Sequence, residues 1–303
     1  MLWLLPAIAI SQEYVDVFKI GYGQTFRNEF EGSDNTTNVI TFESDLTVPL
    51  RISDNQAVIL GAAFTKNNLQ LIPGTASKDL QSVTLKFGYS GQLSELWSST
   101  LIFLPKIASD FEVVQGEDIY FGGLALFKYH KSRQLKYRFG AYASSEAFGL
   151  FATPIIGLYY ISPDNDFEMD LSLPISGDIN KTFNWLTLGV DYYGIGRSFR
   201  LYDENEVSNN YVDLSSLEFA SYLQVNLFDK SVLLRGKLGY ASSEFEVYAN
   251  DETIDLGLSA VSIGDDRTRL NPDISGGFFF RFEALYRFNL LNETQEIDVP
   301  VID

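Results

Sequence analysis

Long stretches of this chain alternate apolar and polar side chains with a period of two, and that pattern leaves few folds open. Successive side chains on a β-strand point to opposite faces. Over 38–50, Ile40, Phe42, Leu46, Val48 and Leu50 share one face, while Thr41, Glu43, Asp45 and Thr47 share the other. Val83, Leu85, Phe87 and Tyr89 are set against Ser82, Thr84 and Lys86, and Leu135, Tyr137 and Phe139 against Lys136 and Arg138. Near the end, Phe278, Phe280, Phe282, Tyr286 and Phe288 oppose Arg281, Glu283 and Arg287. A soluble β-sandwich alternates too, so strand length decides. Average strands run about 5–6 residues, whereas a tilted crossing of a bilayer takes about 9–11, and many of these segments reach that length. The apolar faces draw on 24 Phe and 17 Tyr and would need a covering layer in water. No helical period exists to supply one, so lipid is the simplest cover.

Fourteen strands are read near 15–26, 38–50, 56–66, 80–90, 97–105, 119–129, 135–145, 153–161, 166–175, 183–193, 197–202, 212–227, 231–242 and 276–289. Short, turn-rich connections fall at 51–55, 91–96, 130–134, 162–165, 194–196 and 228–230. Longer polar ones fall at 27–37, 67–79, 106–118, 146–152, 176–182, 203–211 and 243–275. Outer-membrane barrels show this asymmetry, with tight periplasmic turns, long external loops and an even strand number. The expectation is an all-β fold: a single antiparallel up-and-down transmembrane β-barrel over 12–290, in the outer membrane of a Gram-negative cell, with both termini periplasmic. Segments 97–105 and 197–202 are faint, and without them the count is 12. Residues 1–11 form an apolar run ending in Ala9-Ile10-Ser11 and read as a signal peptide rather than a buried first strand. Residues 291–303 read as an acidic periplasmic tail.

Charge narrows the function classes. A formal charge of −18 argues against nucleic acid, which needs a basic footprint. With no cysteine and one histidine, thiol chemistry and transition-metal sites are disfavoured, and no cofactor is expected. Most of the acidity falls on the long connections, whereas the strands carry a slight positive excess. The polar strand faces nominate a set of charged residues lining the lumen. Lys19, Arg235, Lys237, Arg281, Glu283 and Arg287 lie on three strands that become neighbours if the barrel closes. Glu43, Asp45, Lys86, Lys136, Arg138, Glu168, Asp170 and Asp191 lie elsewhere around the circle. The basic stripe could guide an anionic or amphipathic solute. The bland alternative is that the charges are paired and hydrated, filling the lumen and fixing strand register.

Other chemistry is thin. His130, in Tyr129-His130-Lys131-Ser132, sits two residues before a serine, the pairing a lipid hydrolase needs, but falls at a tight turn with no orienting acid in sight. The acidic runs Asp203–Glu206, Asn250–Glu252 and Asp265-Asp266 lack the spacing of a calcium loop and read as solvated surface. Gly194-Ile195-Gly196 reads as a turn, and Trp97 and Trp185 fall near strand ends, where an interfacial aromatic belt would sit.

The run Leu104–Asp110, the Glu146–Gly149 and Thr153–Gly157 segments, Phe167 with Leu173-Pro174, Leu186–Gly189, Ser198–Tyr202 and a final Leu285-Tyr286-Arg287-Phe288 resemble the uncharacterised outer-membrane β-barrel families of Bacteroidota-type bacteria. The resemblance implies a fold and a membrane and carries no activity or site residue. The expected function is a passive channel or small-molecule transporter. The alternative is a closed barrel with a structural or surface-binding role through its acidic loops, above all 243–275. No enzyme activity is expected. The expected partners are the lipid bilayer, the barrel-assembly machinery and a small solute.

Overall fold

A computed structural model describes residues 14–202, 208–259 and 261–289. The leader at 1–11, the tail at 291–303 and the acidic run Asp203–Glu206 lie outside the described residues. The strands are β1 (Tyr14–Phe26), β2 (Ile40–Ser53), β3 (Gln56–Leu69), β4 (Lys78–Gln92), β5 (Trp97–Ser109), β6 (Ile119–His130) and β7 (Leu135–Glu146). They continue as β8 (Gly149–Ile161), β9 (Phe167–Leu173), β10 (Ser176–Phe183), β11 (Leu186–Tyr202), β12 (Ser208–Leu227), β13 (Val232–Ala249) and β14 (Gly277–Asn289). Each pairs antiparallel with its sequence neighbour, and β14 pairs with β1 from Tyr14↔Asn289 to Phe26↔Phe278, closing a 14-stranded barrel. Closure leaves no free edge around most of the circle, as hydrocarbon demands.

Period two sorts the faces. Leu46, Leu50, Leu85, Phe87, Leu101, Phe103, Phe139, Leu188, Phe219, Phe282 and Tyr286 are large, apolar and exposed on the outside. Trp97 and Trp185, also exposed, mark the end with the short turns, and Trp97 packs on Tyr129 with ring centroids 5.2 Å apart. The lumen face carries the charges.

Several of the expected boundaries differ, among them 208–211 and 243–249, read as loop but belonging to β12 and β13. Segment 176–182, read as a loop, is β10, because Asp178 and Asn180 face in while Ile179 lies on the opposite side, and the turn is Pro174–Ile175 instead. Gly194–Gly196, read as a turn, lies inside the continuous strand β11, so 183–193 and 197–202 are not separate strands. The two differences cancel, and the count of fourteen stands. Segment 146–152, read as a long loop, is a two-residue turn, Ala147–Phe148, with Gly149 at φ 124°. Strands β11, β12 and β13 run 17, 20 and 18 residues, far beyond the 7 and 8 of the β9–β10 hairpin. They rise past the wall at the long-loop end and bend over it, so that Arg200 of β11 meets Ser109 of β5 across the barrel.

Candidate functional site

The lumen is an ionic network surrounding a cavity of about 1320 Å³. Its densest part is built where β10 to β14, β1 and β2 stand side by side. Register places Arg235 opposite Glu283 and Lys237 opposite Arg281. Glu283 is buried beneath three cations: Lys19 at 2.9 Å, Lys237 at 3.1 Å and Arg235 at 3.9 Å. Both its oxygens are held by these charges rather than by well-aligned hydrogen bonds. Asp191 meets Lys237 at 2.5 Å, and Asp178 meets Arg235 at 3.3 Å. The Tyr222 hydroxyl donates to Asp178 at 2.7 Å while its ring carries the Arg235 guanidinium 4.0 Å from the centroid. Arg281 pairs with Glu218 at 2.7 Å.

The rest of the circle repeats the theme. Lys86 donates to Asp45 at 2.5 Å and to Thr47 at 2.8 Å. Arg138 pairs with Asp170 and donates to Ser172 at 3.0 Å. Lys136 lies over the Tyr159 ring, 5.2 Å from its centroid. Arg287 holds Asp16 at 2.6 Å and stacks on Tyr14, whose hydroxyl donates to Glu168. Of the charged residues nominated from the sequence, all but Lys136 and Glu283 border the cavity, and those two are buried in its wall. The basic stripe is thus answered by carboxylates from both sides. Such pairs gain little net stability, since desolvation offsets attraction, but removing one partner strands a buried charge. The cavity reaches the short-turn rim, where Asn165, Asp166, Asp229 and Lys230 line it.

Sequence reasoning missed several members. Tyr14, Asp178, Glu218 and Tyr222 hold partners in this network, and Asp178 was assigned to a loop. Asp16 escaped because a bulge between Asp16 and Phe18 breaks the alternation and turns both Asp16 and Lys19 inward. His130 sits at the end of β6 with Nε2 3.0 Å from the Ser98 hydroxyl. Among the described residues no three His, Asp or Glu side chains converge as metal ligands would.

Toward the long loops the lumen changes character. Inward positions that are charged lower down become apolar: Leu69, Leu80, Tyr120, Phe199, Val212, Leu214, Phe245 and Val247. They pack with Phe30, Leu71, Phe148, Ile254 and Ile274 from the connections into one buried core that fills this end of the barrel. The 250–276 connection folds back into it. Asn271 accepts from Val247 N–H at 2.8 Å and donates to the carbonyls of Phe245 and Leu71 at 2.8 and 3.3 Å. Ile254 N–H donates to Phe148 O at 2.8 Å, and Phe30 and Ile274 form a bridge. Arg267, nearly inaccessible, joins Asp213 at 3.0 Å, Asp265 at 2.8 Å and the Tyr248 ring at 4.0 Å. Its hydrogen bonds hold the Asp265 carboxyl below the usual carboxylate range. Between core and chamber lies a layer of Glu43, Arg197, Glu218 and Arg281, which border both the chamber and a pocket of about 30 Å³ above it. That pocket has room for about one water.

A family model matches residues 8–243, most of the barrel. The chain belongs to the DUF6268 family, described as a domain of unknown function. The DUF6268 span runs through Arg235 and Lys237 of the chamber and stops short of Phe245 and β14. No curated protein matches the sequence. Solved structures with some likeness include a bacterial polysaccharide outer membrane secretin (7% identity over 90% of this chain and 99% of that one, TM-score 0.35). Others are OccAB4 of Acinetobacter baumannii (10%, 92% and 100%, TM-score 0.29) and the β domain of the Bordetella autotransporter BrkA (10%, 90% and 99%, TM-score 0.26). At these scores they carry nothing about pore, ligand or activity.

Proposed function

We propose that this member of DUF6268 is an outer-membrane transporter barrel of closed-mouth type. A small solute enters a charged chamber from the periplasmic, short-turn side or leaves toward it, and the apolar core bars the external end until it moves. The observation that carries this reading is the layering of the lumen: a chamber of about 1320 Å³, an ionic layer, then a packed core. The exposed apolar band and the aromatic residues at the turn end support insertion in a bilayer, for which barrel-assembly machinery would be required. Barrels of about eight strands are filled by side chains and those of about 16–18 leave a channel. Here the middling width holds a chamber at one end and a core at the other. The pairing of the chamber charges supports a polar or amphipathic solute over a simple anion path.

Planar-bilayer recording tests it. The wild-type protein is expected to show no steady conductance, whereas a variant lacking 250–276, shown to be folded by its heat-modifiable gel mobility, is expected to conduct. A steady wild-type conductance equal to that of the deletion would overturn the closed-mouth reading. The core also favours a second reading, a barrel with a purely structural or surface-binding role. That reading predicts no conductance in either protein and no solute bound in the chamber.

A further inference from the structure

The barrel wall is incomplete on one side. The β9–β10 hairpin ends at the pairs Ile156↔Leu173 and Ser176↔Tyr193, while β8 and β11 continue toward the long loops without it. Above the hairpin tip β8 gains a short parallel partner, Leu256–Leu258, which pairs with Val261–Ile263. Among the described residues the far edge of that small hairpin has no ladder to β11. Strand β11 instead bends inward toward Asp110 and Glu146.

Three observations make this gap a passage. First, the chamber cavity is bordered there by residues on the lipid-facing side of β10 to β12: Gly177, Tyr192, Ser215 and Leu217. The same continuous space touches Arg235 inside and Leu217 outside. Second, the edges are finished for exposure. The Ala152 carbonyl faces the gap and accepts Ser259 N–H at 3.0 Å. Pro154, two residues on and so on the same side, has no N–H to leave unpaired. Third, an aromatic ring stands in the gap: a Cβ added at Gly196 or at Gly257 would fall 2.9 Å from Phe151. Those glycines let the Phe151 ring lodge between β11 and the added hairpin. The height can be placed. Eight residues from Trp185 to Tyr193 rise roughly 26 Å along a strand, or about 20 Å at a tilt near 40°. With Trp185 at the periplasmic interface, the gap faces the outer half of the hydrocarbon.

Beside the gap, on the chamber side of β11, is Arg197. It is the one arginine bordering the chamber that has no carboxylate within salt-bridge distance among the described residues, and its Nη1 donates to Thr65 Oγ1 at 3.1 Å. We propose that the gap is a lateral portal for a single-chain amphiphile with an anionic head, the head resting on Arg197 and the tail leaving past Phe151 into the bilayer. This rests on the transporter reading for the barrel's place in the outer membrane. An unpaired guanidinium suits a carboxylate or phosphate, which it can grip at two oxygens. Lipid-facing Leu217 and Tyr192 suit the chain.

The test uses the full-length protein in phosphatidylcholine nanodiscs and dodecanoate carrying a diazirine at the tail end. Light is expected to label peptides holding Phe151, Tyr192 and Leu217 above the rest of the apolar band. Excess unlabelled dodecanoate and dodecyl phosphate should each compete, and whichever does so at lower concentration names the head group; dodecyltrimethylammonium should not compete. Arg197→Gln should weaken labelling roughly tenfold to a hundredfold, and Arg197→Lys should restore part of it, with the folded gel mobility unchanged. Labelling spread evenly around the band, or concentrated at the portal but indifferent to Arg197→Gln and to the anionic competitors, would overturn the proposal. Neither result touches the conductance test, so the two readings fail separately.

Discussion

Removing the carboxylate of Glu283 is the sharpest test of how the lumen is held together. Its side chain is wholly inaccessible, and the side chains of Lys237 and Arg235 are only 9% and 12% exposed. Lys19, at 35%, can turn toward water. At an effective dielectric near 20, one contact of about 4 Å contributes roughly 4 kcal/mol of attraction. Desolvation of several kcal/mol per ion offsets most of this, so the intact pairs are nearly neutral. Deleting the acid removes one carboxylate from Lys237 and Arg235, which keep Asp191 and Asp178, so the cost of about 3–5 kcal/mol for breaking a buried pair is partly offset. Partial rehydration of Lys19 places Glu283→Gln at the lower end, about 3 kcal/mol. Urea unfolding in phosphatidylcholine vesicles, followed by gel mobility, measures it. Adding Lys237→Met, which leaves Asp191 with Arg235 at 3.8 Å, should cost less than the sum of the two single variants, because the two sites share a partner. A single variant within about 0.5 kcal/mol of wild type would refute the reasoning, because that is the range of ordinary surface positions. It would mean that water in the chamber, not pairing, keeps these charges soluble.

Three further outcomes follow from the outer core. Phe245→Ala removes a ring that is 2% exposed and should cost about 3–5 kcal/mol in the same assay, with brief conductance events where the wild type shows none. Asn271→Ala leaves the Val247 N–H and the Phe245 and Leu71 carbonyls without their partner, a loss of about 1–3 kcal/mol that hydrogen exchange should localise to Val247. The depressed Asp265 carboxyl sets a pH window. Because its folded value lies below its unfolded one, its contribution is fully present above about pH 4 and is lost as pH falls through the folded value. Hydrogen exchange in 264–276 should therefore rise only in acid, and Asp265→Asn should abolish that rise.

The sequence made the wall legible but not the contents of its outer end. Alternation alone sorts Glu43 from Phe42 and Arg281 from Phe280, because a strand has only two faces and lipid accepts only one kind of side chain. It failed at Asp16, where a bulge shifts the period by one. It failed again at 176–182, where a polar strand with one inward acid looks like a loop, and at Gly194–Gly196, where glycine signals a turn but serves to admit the Phe151 ring. The core was missed for a different reason. Positions 245 and 247 of β13 keep the inward parity of Arg235 and Lys237 but turn apolar, and an alternation read as apolar-out ends the strand at 242 and assigns them to the loop 243–275. The switch of inward residues from charged to apolar along β12 and β13 was the available signal. Pairings such as Arg267 with Asp213 depend on a loop path that no local pattern encodes.

That switch explains why the barrel is neither an open pore nor a filled rod. An interior lined only with paired charges stays hydrated, since each ion keeps part of its water and the pairs contribute little net stability. An interior lined only with apolar side chains would collapse and exclude solute. From β11 to β14 the two regimes meet at Arg197, Glu218 and Arg281, with Phe245 and Leu214 directly beyond. Moving the core outward would expose Phe199, Phe245 and Tyr211 together, each worth roughly 1.5–3 kcal/mol in burial, so spontaneous opening of the mouth is rare. In the gap beside β11 stands the Phe151 ring, close against Gly196 and Gly257. On the portal proposal, a solute leaving the chamber goes out at the side of the barrel, beside Arg197, the one chamber arginine with no carboxylate within salt-bridge distance among the described residues.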